Sequence, residues 1–418
     1  MRALLLFVFL FPLSFSLVCP PEYKLINGQK CVKTFLTPEV HFHAENNCRA
    51  ISGTLVTIKN AIDNRAILNL ASSAGISTMW LGLYCFGNTT SSCFWDDGSG
   101  SPVWYNNFQT SNQFDKSGRG VVMSVSNMFG TNQGKWLSVN CYDGVNTFSS
   151  YPYMCETPPT QPMSGCKYNY NGYCYTTSKQ IGNQKYDGNF AKIYCSSYPN
   201  TNLASVHSKM EIDFIRNIYK DTNTSMIYLG AQSLTTDVFN WIDGTTWDFH
   251  YMNPLNFQKG KCLVMDLENY GLWSQVDCDQ KMEFLCKRKI VADTTPIKKS
   301  YEAPEILLDA SNCNSTLYLI PGSISSFGYP DFTTPPTYCS WRLVALGPYR
   351  MGIYFDFWAT YSALTIYDEY GTDIGQFVGT YNRTPFARYT PFNMATITFR
   401  PKSGPNVDRG FHAVVLLL

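Results

Sequence analysis

The sequence predicts a mixed α+β fold present in two copies, followed by an all-β sandwich. Trp, Gly and Cys landmarks recur in the same order in two successive parts of the chain, which indicates the copies. A helix-like stretch opens each set of landmarks and short strand-like runs follow it, which indicates the α+β class. The C-terminal part contains alternating strand-like runs divided by Gly and Pro, which is typical of a sandwich. The 418 residues give room for about three domains.

The N-terminus has the composition of a secretion signal. Met1-Arg2 precedes the apolar run ALLLFVFLF, and the small-x-small triplet Ser14-Phe15-Ser16 follows it. We therefore expect residues 1–16 to be a cleaved signal peptide and the protein to be secreted.

Composition and charge exclude several classes of function. The net charge is +1 with both signs interspersed, which gives no electrostatic footprint for nucleic acid. No internal apolar run is long enough to predict a membrane span. Fifteen cysteines in an exported chain indicate disulfides, and no CxxC pair suggests zinc. Four glycosylation sequons fit an extracellular glycoprotein, at Asn88, Asn223, Asn314 and Asn382.

Four landmark stretches carry the repeat. They are WLGL at 80 and YLGA at 228, WDDG at 95 and WIDG at 241, KWLSVNC ending at Cys141 and LWSQVDC ending at Cys278, and YMC ending at Cys155 and FLC ending at Cys286. The spacing between corresponding landmarks falls along the chain, so the second copy is shorter and has lost residues in loops. The stretches PEVHFHAENNCRA and KYDGNFAKIYCSS precede the landmarks and predict one early helix in each copy.

The cysteines follow the same repeat, and their positions predict six disulfides. A terminal pair opens each copy, a long-range pair joins the early helix to the last strand, and each copy has one further local pair. The predicted pairs are Cys19 with Cys31, Cys48 with Cys155, Cys85 with Cys93, Cys166 with Cys174, Cys195 with Cys286, and Cys262 with Cys278. Each long-range pair closes a loop of about 90 to 110 residues, worth about 4–5 kcal/mol in the chain-entropy model.

Cys141 remains outside these pairs, because Gly120 stands where the second copy has Cys262. The number of cysteines is odd, so at least one thiol is unpaired or bonded to another chain. Two interpretations stay open for Cys141: a buried inert thiol, and a disulfide-linked homodimer.

The combined landmarks and cysteines resemble those of the C-type lectin-like domain, over residues 19–157 (the first copy) and 166–287 (the second copy). After a linker at 288–312, residues 313–418 (the C-terminal sandwich) resemble a CUB domain, which implies a jelly-roll sandwich. That resemblance also implies a disulfide between Cys313 and Cys339. Ser362 stands where many CUB domains place a calcium-binding Asp. The whole arrangement resembles secreted nematode C-type lectin-like proteins.

Sugar-binding members of this family hold their ligand through Ca²⁺, which takes oxygen ligands. The family supplies some of these oxygens from an Asn-Asp pair directly after the landmark Trp. Here the pair is Leu137-Ser138 in the first copy and Ser274-Gln275 in the second. Leucine has no side-chain oxygen, and neutral Ser and Gln do not supply a carboxylate's charge. The resemblance therefore implies that the metal-binding pair is absent from both copies.

The family's second group of calcium ligands is a Glu-Pro-Asn or Gln-Pro-Asp triplet with a cis proline. The first copy has no proline between Pro102 and Pro152, and the second has Asn253-Pro254-Leu255 without the flanking acid. We predict no cofactor and no bound calcium. The side chains left to form an improvised metal site are Asn106, Asn107 and Asp115.

Aromatic loop residues are the remaining candidates for ligand contact, since amphipathic rings stack on sugars and anchor protein interfaces. The candidates are Tyr105, Phe108, Trp247 and Tyr251, with Asn253 as a polar partner. Packing in a small disulfide-rich core is the alternative role for each ring. No HExxH or GxSxG motif indicates an enzyme. We expect a non-enzymatic recognition protein that binds glycans, with a role in innate defence implied by the resemblance, or one that binds extracellular proteins instead.

Overall fold

The computed structural model describes most of the chain in separate ranges. These are residues 17–87, 89–109, 120–127, 132–139, 141, 149–160, 166–182, 184–235, 238–256, 259–290, 313–318, 321–329, 337–346, 349–368, 371–378, 384–401 and 409–418. The predicted signal peptide, Asn88, Asp115, Asn382 and most of the predicted linker lie outside the described residues. Within these ranges, no helix combines the length and the apolar character needed to cross a bilayer.

The first copy forms one mixed sheet with two helices packed on it. Its elements are β1 (Lys24–Ile26), β2 (Lys30–Glu39), α1 (His41–Ala50), β3 (Thr54–Leu55), α2 (Ala61–Ser73), β4 (Thr78–Cys85), β5 (Cys93–Trp95), β6 (Gly120–Ser124), β7 (Trp136–Val139) and β8 (Tyr151–Thr157). The strand order is β1-β2-β8-β4-β6-β7, with β3 paired to β8 and β5 to β4. Strands β4 and β8 run parallel, while the other pairs are antiparallel.

The second copy repeats this topology strand for strand. Its elements are β9 (Tyr168–Tyr170), β10 (Tyr173–Thr177), α3 (Gly188–Ser196), β11 (Thr201–Leu203), α4 (Lys209–Tyr219), β12 (Met226–Thr235), β13 (Val238–Trp241), β14 (Cys262–Asp266), β15 (Leu272–Val276) and β16 (Glu283–Lys289). The order is β15-β14-β12-β16-β10-β9, with β11 on β16 and β13 on β12. The landmark repeat of the sequence is therefore a repeat of three-dimensional structure.

The glycine in WLGL and YLGA is retained because two backbone segments approach closely there. A Cβ on Gly82 would overlap the carbonyl of Leu55, and a Cβ on Gly230 would overlap the carbonyl of Leu203. Each glycine lies on the central strand of its sheet, beside the short strand that follows the first helix. The close approach explains why this landmark recurs in both copies.

The early helices α1 and α3 occupy the predicted stretches, but each copy contains a second helix that the sequence analysis did not predict. Both unpredicted helices have a side-chain cap. Asn60 accepts a hydrogen bond from the Asp63 amide at 2.8 Å, and Ser208 accepts one from the Glu211 amide at 3.1 Å. A capping residue followed three positions later by an acid is a recognisable start signal in sequence, so this signal was available.

Residues 313–418 form a sandwich of two sheets, as predicted for the fold class. The strands are β17 (Ser315–Tyr318), β18 (Gly322–Ser325), β19 (Cys339–Val344), β20 (Met351–Ala359), β21 (Ala363–Asp368), β22 (Asp373–Val378), β23 (Phe386–Tyr389), β24 (Met394–Arg400) and β25 (Gly410–Leu417). One sheet has the order β17-β19-β24-β21-β22 and the other β18-β25-β20-β23. Buried aromatic rings fill the space between the sheets, among them Trp341, Phe355, Phe399 and Phe411.

The structure contains seven disulfides, which join the same cysteines that the sequence analysis paired. Cys141 takes part in none of them and is buried. A Cβ placed on Gly120 would overlap the Cys141 sulfur and crowd the Trp80 ring. Gly120 and Cys141 thus lie side by side, at the positions that Cys262 and Cys278 occupy in the second copy.

The C-terminal sandwich packs against both copies. Val344 and Met394 join a buried cluster that contains Trp80 of the first copy. Tyr354 and Leu416 join the buried cluster of the second copy. Apolar contacts of this kind hold modules together by removing hydrophobic surface from water.

Candidate functional site

The residues after each landmark Trp are paired strand residues within the sheet. Trp136 on β7 and Trp273 on β15 are fully buried, which agrees with a core role. Leu137 and Ser138, which pair with Val122 and Val121 on β6, are buried as well. These two side chains therefore belong to the packed sheet of the first copy.

The equivalent pair in the second copy, Ser274 and Gln275, also interacts with the surrounding protein. Ser274 is buried opposite Val264 on β14. The Gln275 side-chain oxygen accepts a hydrogen bond from the Gly260 amide at 3.3 Å. Lys259 and Lys261 stand on either side of Gly260 in the sequence, and their ammonium groups repel a cation.

Neither donor set fits calcium. Calcium requires six to eight oxygens, several of them charged, and the two pairs present one apolar side chain and three neutral ones. Among the residues that the structure describes, no group of three or more His, Cys, Asp and Glu side chains is arranged to hold a metal ion. The side chains that follow the two landmark tryptophans therefore supply no charged oxygen to a calcium ion.

The structure describes two of the three residues of the predicted improvised metal site, Asn106 and Asn107. The Asn107 side-chain oxygen accepts a hydrogen bond from the Lys135 ammonium at 2.8 Å, and its amide nitrogen donates to the Gly134 carbonyl at 2.7 Å. An oxygen held by an ammonium group is a poor ligand for a cation. Asn106 is exposed, and Asp115 lies outside the described residues.

The predicted aromatic candidates surround the two landmark tryptophans. Tyr105 and Phe108 meet the Trp136 ring edge-on, with ring centroids 5.8 and 5.5 Å away. Trp247 meets Trp273 in the same way at 5.7 Å. All three candidates are partly exposed, so each combines core packing with some access to a ligand. Their role as ligand contacts stays a prediction.

Tyr251, another predicted ligand contact, packs in the core beside Trp273, and its role in ligand binding stays a prediction. Its ring is 2% exposed and lies 6.5 Å from Trp273. Its hydroxyl donates a hydrogen bond to the carbonyl of Leu417 in the C-terminal sandwich. Two residues further on, the Asn253 side-chain oxygen accepts from the Leu255 amide at 3.0 Å and so stabilises the local turn.

A groove of about 970 Å³ lies on the second copy, between the start of α3, the start of β14 and the end of β15. The disulfide between Cys262 and Cys278 joins the segments on either side of it. The polar side chains that line the groove are Asn189, Ser233, Lys259, Lys261, Gln275, Asp277, Asp279 and Gln280. A smaller pocket of about 160 Å³ shares Asn189, Ser233 and Lys261 with it and extends to Tyr228 and Ile242.

This groove offers both kinds of hydrogen-bonding group. Lys259 and Lys261 supply ammonium donors, while Asp277, Asp279 and Gln280 supply oxygens. A set of donors and acceptors around a groove can bind neutral hydroxyl groups without a metal ion. Neither lysine is among the ligand candidates predicted from the sequence, because nothing in their spacing shows that the chain folds α3 beside them.

A family model for the lectin C-type domain matches residues 38–157 and 184–288, together more than half of the chain. The chain belongs to the C-type lectin domain family. A relative from Caenorhabditis elegans, C-type lectin domain-containing protein 38, is 29% identical over 289 residues, which cover 67% of this chain and 70% of the relative. A protein named Lectin from Pleurodeles waltl is 34% identical over 105 residues, covering 23% of this chain and 61% of the relative.

Longer proteins and solved structures also match. Lymphocyte antigen 75 from Mus musculus is 24% identical over 178 residues, which are 38% of this chain and 10% of that protein. The crystal structure of human lithostathine covers 31% of this chain and 91% of its own, with 21% identity and a TM-score of 0.28. A calcium-independent type II antifreeze protein covers 35% and 98%, with 22% identity and a TM-score of 0.29. None of these names refers to catalysis.

Proposed function

We propose that this C-type lectin is a secreted, non-enzymatic recognition protein that binds extracellular glycans without calcium, through the groove of its second copy. The observation that carries the proposal is the groove itself. It places lysine donors beside carboxylate and amide acceptors, at the edge of a sheet where Ser274 is buried and the Gln275 oxygen accepts from the Gly260 amide.

Direct hydrogen bonding is physically sufficient for such binding. A sugar hydroxyl both donates and accepts, and hydrogen bonds to charged groups are stronger than those between neutral groups. The groove volume of about 970 Å³ accommodates a short oligosaccharide. The disulfide between Cys262 and Cys278 fixes its wall, so less freedom is lost on binding.

Recognition of an extracellular protein is the second candidate, and one observation favours it. Trp104 of the first copy is 84% exposed and its neighbour Val103 is 58% exposed. Trp is enriched at the centres of protein interfaces, where it contributes a large share of the binding energy. An exposed Trp beside an exposed Val is therefore a candidate anchor for a protein partner.

A glycan array probed with the secreted protein tests the first candidate. We expect binding that is unchanged by EDTA and reduced about tenfold or more in the Lys261→Glu variant, because a charged donor is replaced by an acceptor. Lys24→Glu is the matched control, since Lys24 is an exposed lysine on the first copy. Binding that EDTA abolishes would contradict the proposal. Binding to no glycan would favour a protein partner, whose capture the Trp104→Ala variant should then lose.

The C-terminal sandwich, the domain limits and Cys141 also bear on this proposal. We infer that residues 313–418 form a CUB domain, supported by the two-sheet sandwich and by the disulfide between Cys313 and Cys339. The domain limits 19–157 and 166–287 and a role in innate defence stay predictions. The disulfide-linked homodimer through Cys141 also stays a prediction, and it requires a local opening because the thiol is buried.

A further inference from the structure

A cavity of about 540 Å³ lies where the two lectin copies and the C-terminal sandwich meet, and we name it the junction cavity. Each of the three parts contributes a cation to its lining. The basic side chains are Arg49 from α1, Arg216 from α4, Lys220 directly after α4, and Arg350 directly before β20. Three aromatic side chains, Phe42, Tyr270 and Tyr349, complete much of the wall.

The acidic groups around the junction cavity are outnumbered. Arg49 lies 2.8 Å from Glu45 and 3.5 Å from Asp213. Asp213 is also 2.6 Å from Lys209 and 4.0 Å from Arg216, so one carboxylate faces three cations. Burial raises the pKa of Glu45 to about 7, which reduces the negative charge available to Arg49 near neutral pH.

Two of the lining cations are available to a ligand. Lys220 and Arg350 are exposed, and neither forms an ion pair with another residue in the described ranges. Cations gathered in a concave site raise the local concentration of anions and bind them more strongly than isolated surface charges do. The junction cavity therefore has an excess of positive charge and a chemical preference for an anion.

The aromatic walls specify more than a bare anion. The Arg216 guanidinium lies 5.8 Å from the centre of the Tyr270 ring, and the Arg49 guanidinium lies 4.1 Å from that of Tyr349. Rings beside cations provide a face for the carbon skeleton of a ligand and a charge for its acidic group. A volume of about 540 Å³ suits one or two sugar rings.

We propose that the junction cavity binds an acidic saccharide unit, one that carries a carboxylate or a sulfate group. Arg216, Lys220 and Arg350 contact the acidic group, and the partly exposed rings of Phe42 and Tyr270 contact the sugar ring. Tyr349 is buried beneath the Arg49 guanidinium and only closes the wall. The site is separate from the groove of the second copy and does not depend on glycan binding there. Because all three parts of the chain line the cavity, occupancy by such a ligand also stabilises their arrangement.

Isothermal titration calorimetry on the full secreted chain tests this site with three disaccharides of similar size. One is a sulfated heparin-type disaccharide, one carries a uronic acid without sulfate, and one is neutral maltose. The titrations use the chain with Lys261→Glu, whose groove in the second copy should no longer bind glycans. We expect the two acidic disaccharides to bind it, with an affinity that falls as salt is added, and maltose not to bind. A double Lys220→Ala, Arg350→Ala variant should lose about tenfold or more in affinity.

The control is the double Lys24→Ala, Lys185→Ala variant, which removes two exposed lysines that line neither the junction cavity nor the groove of the second copy and should bind the acidic disaccharides unchanged. Both double variants alter exposed residues, and equal melting temperatures would show that each is folded. The proposal fails if maltose binds as tightly as the acidic sugars, or if the junction variant binds normally. It also fails if inorganic sulfate binds as tightly as the sulfated disaccharide, since the cavity would then hold any small anion and the aromatic rings would add nothing.

Discussion

Lys287→Met is expected to destabilise the second lectin copy by about 3–5 kcal/mol. Lys287 is buried on β16, where its ammonium donates to the Ser205 carbonyl at 2.9 Å and to Glu211 at 2.7 Å. Burial alone would raise the pKa of Glu211, but the ammonium and the Tyr175 hydroxyl hold that pKa below its usual value. Removing the lysine leaves a buried carboxylate without its cation, which is the costly event.

The double Lys287→Met, Glu211→Gln variant is the matched control, measured beside the single variant by chemical unfolding. Because it removes both charges, it should recover a large part of the lost free energy of unfolding. Equal losses in the single and double variants would contradict this account, since they would show that Lys287 acts only by filling space.

Asp96→Asn is expected to stabilise the first lectin copy at alkaline pH. Asp96 is 1% exposed, and neither of its carboxylate oxygens has a hydrogen-bond partner among the described residues. The nearest basic atom, Nε2 of His41, lies 3.5 Å away, and burial lowers the pKa of His41 to about 4, so that ring is neutral. Burial likewise raises the pKa of Asp96 to about 7. The second copy has Ile242 at this position, so the fold does not need a carboxylate there.

The sign of the effect follows from that raised pKa. A carboxyl group whose pKa is higher in the folded state gives full stability below its unfolded pKa, and that stability is lost as pH rises through the folded value. Asp96→Asn removes this loss. We expect a gain on the order of 2–4 kcal/mol at about pH 8 and little change at about pH 4.

Asp97→Asn, one residue away, is the control with the opposite sign. Burial alone would raise the pKa of Asp97, but Lys59 at 3.3 Å and the Ser99 hydrogen bonds lower it. Its contribution is therefore present at neutral and alkaline pH and is lost as pH falls. Chemical unfolding curves at about pH 4 and about pH 8 give the free energy of unfolding of both variants. A loss of stability in both variants at about pH 8 would contradict the assignment for Asp96.

The sequence was sufficient for the parts of the fold that repeat. The order of Trp, Gly and Cys landmarks predicted two copies, and the cysteine positions predicted the same pairs that the structure contains. These features are visible because each serves a local or covalent purpose. Gly82, for example, cannot carry a Cβ because the Leu55 carbonyl lies too close, and the Leu203 carbonyl excludes a Cβ at Gly230 in the same way.

The buried ion pairs were not predictable from the repeat, because the two copies exchange the signs of the charges. In the first copy the last strand carries the acid Glu156, which pairs with Lys30 at 2.8 Å. In the second copy the last strand carries the base Lys287, which pairs with Glu211 on α4. Glu156 and Lys287 stand at equivalent positions, so a comparison of the two copies shows only an exchange of an acid for a base. The partner of each, Lys30 or Glu211, is distant in sequence and becomes visible only in the structure.

The candidate sites also differ in how far the sequence alone predicts them. The absence of a carboxylate at Leu137 and Gln275 is visible in the sequence, since it depends only on which side chains follow the landmark Trp. The groove of the second copy joins residues near 189, 260 and 278, and the junction cavity joins all three parts of the chain. Sites of this kind depend on how distant segments pack, and no short pattern in the sequence reports that packing.

We propose that both lectin copies keep the fold of their family without its calcium chemistry. Thermal unfolding of the secreted protein, compared in millimolar Ca²⁺ and in EDTA, tests it directly, since an ion that binds only the folded state raises the melting temperature. We predict the same melting temperature in both solutions. A higher melting temperature in Ca²⁺ that the Gln275→Ala variant abolishes would contradict the claim.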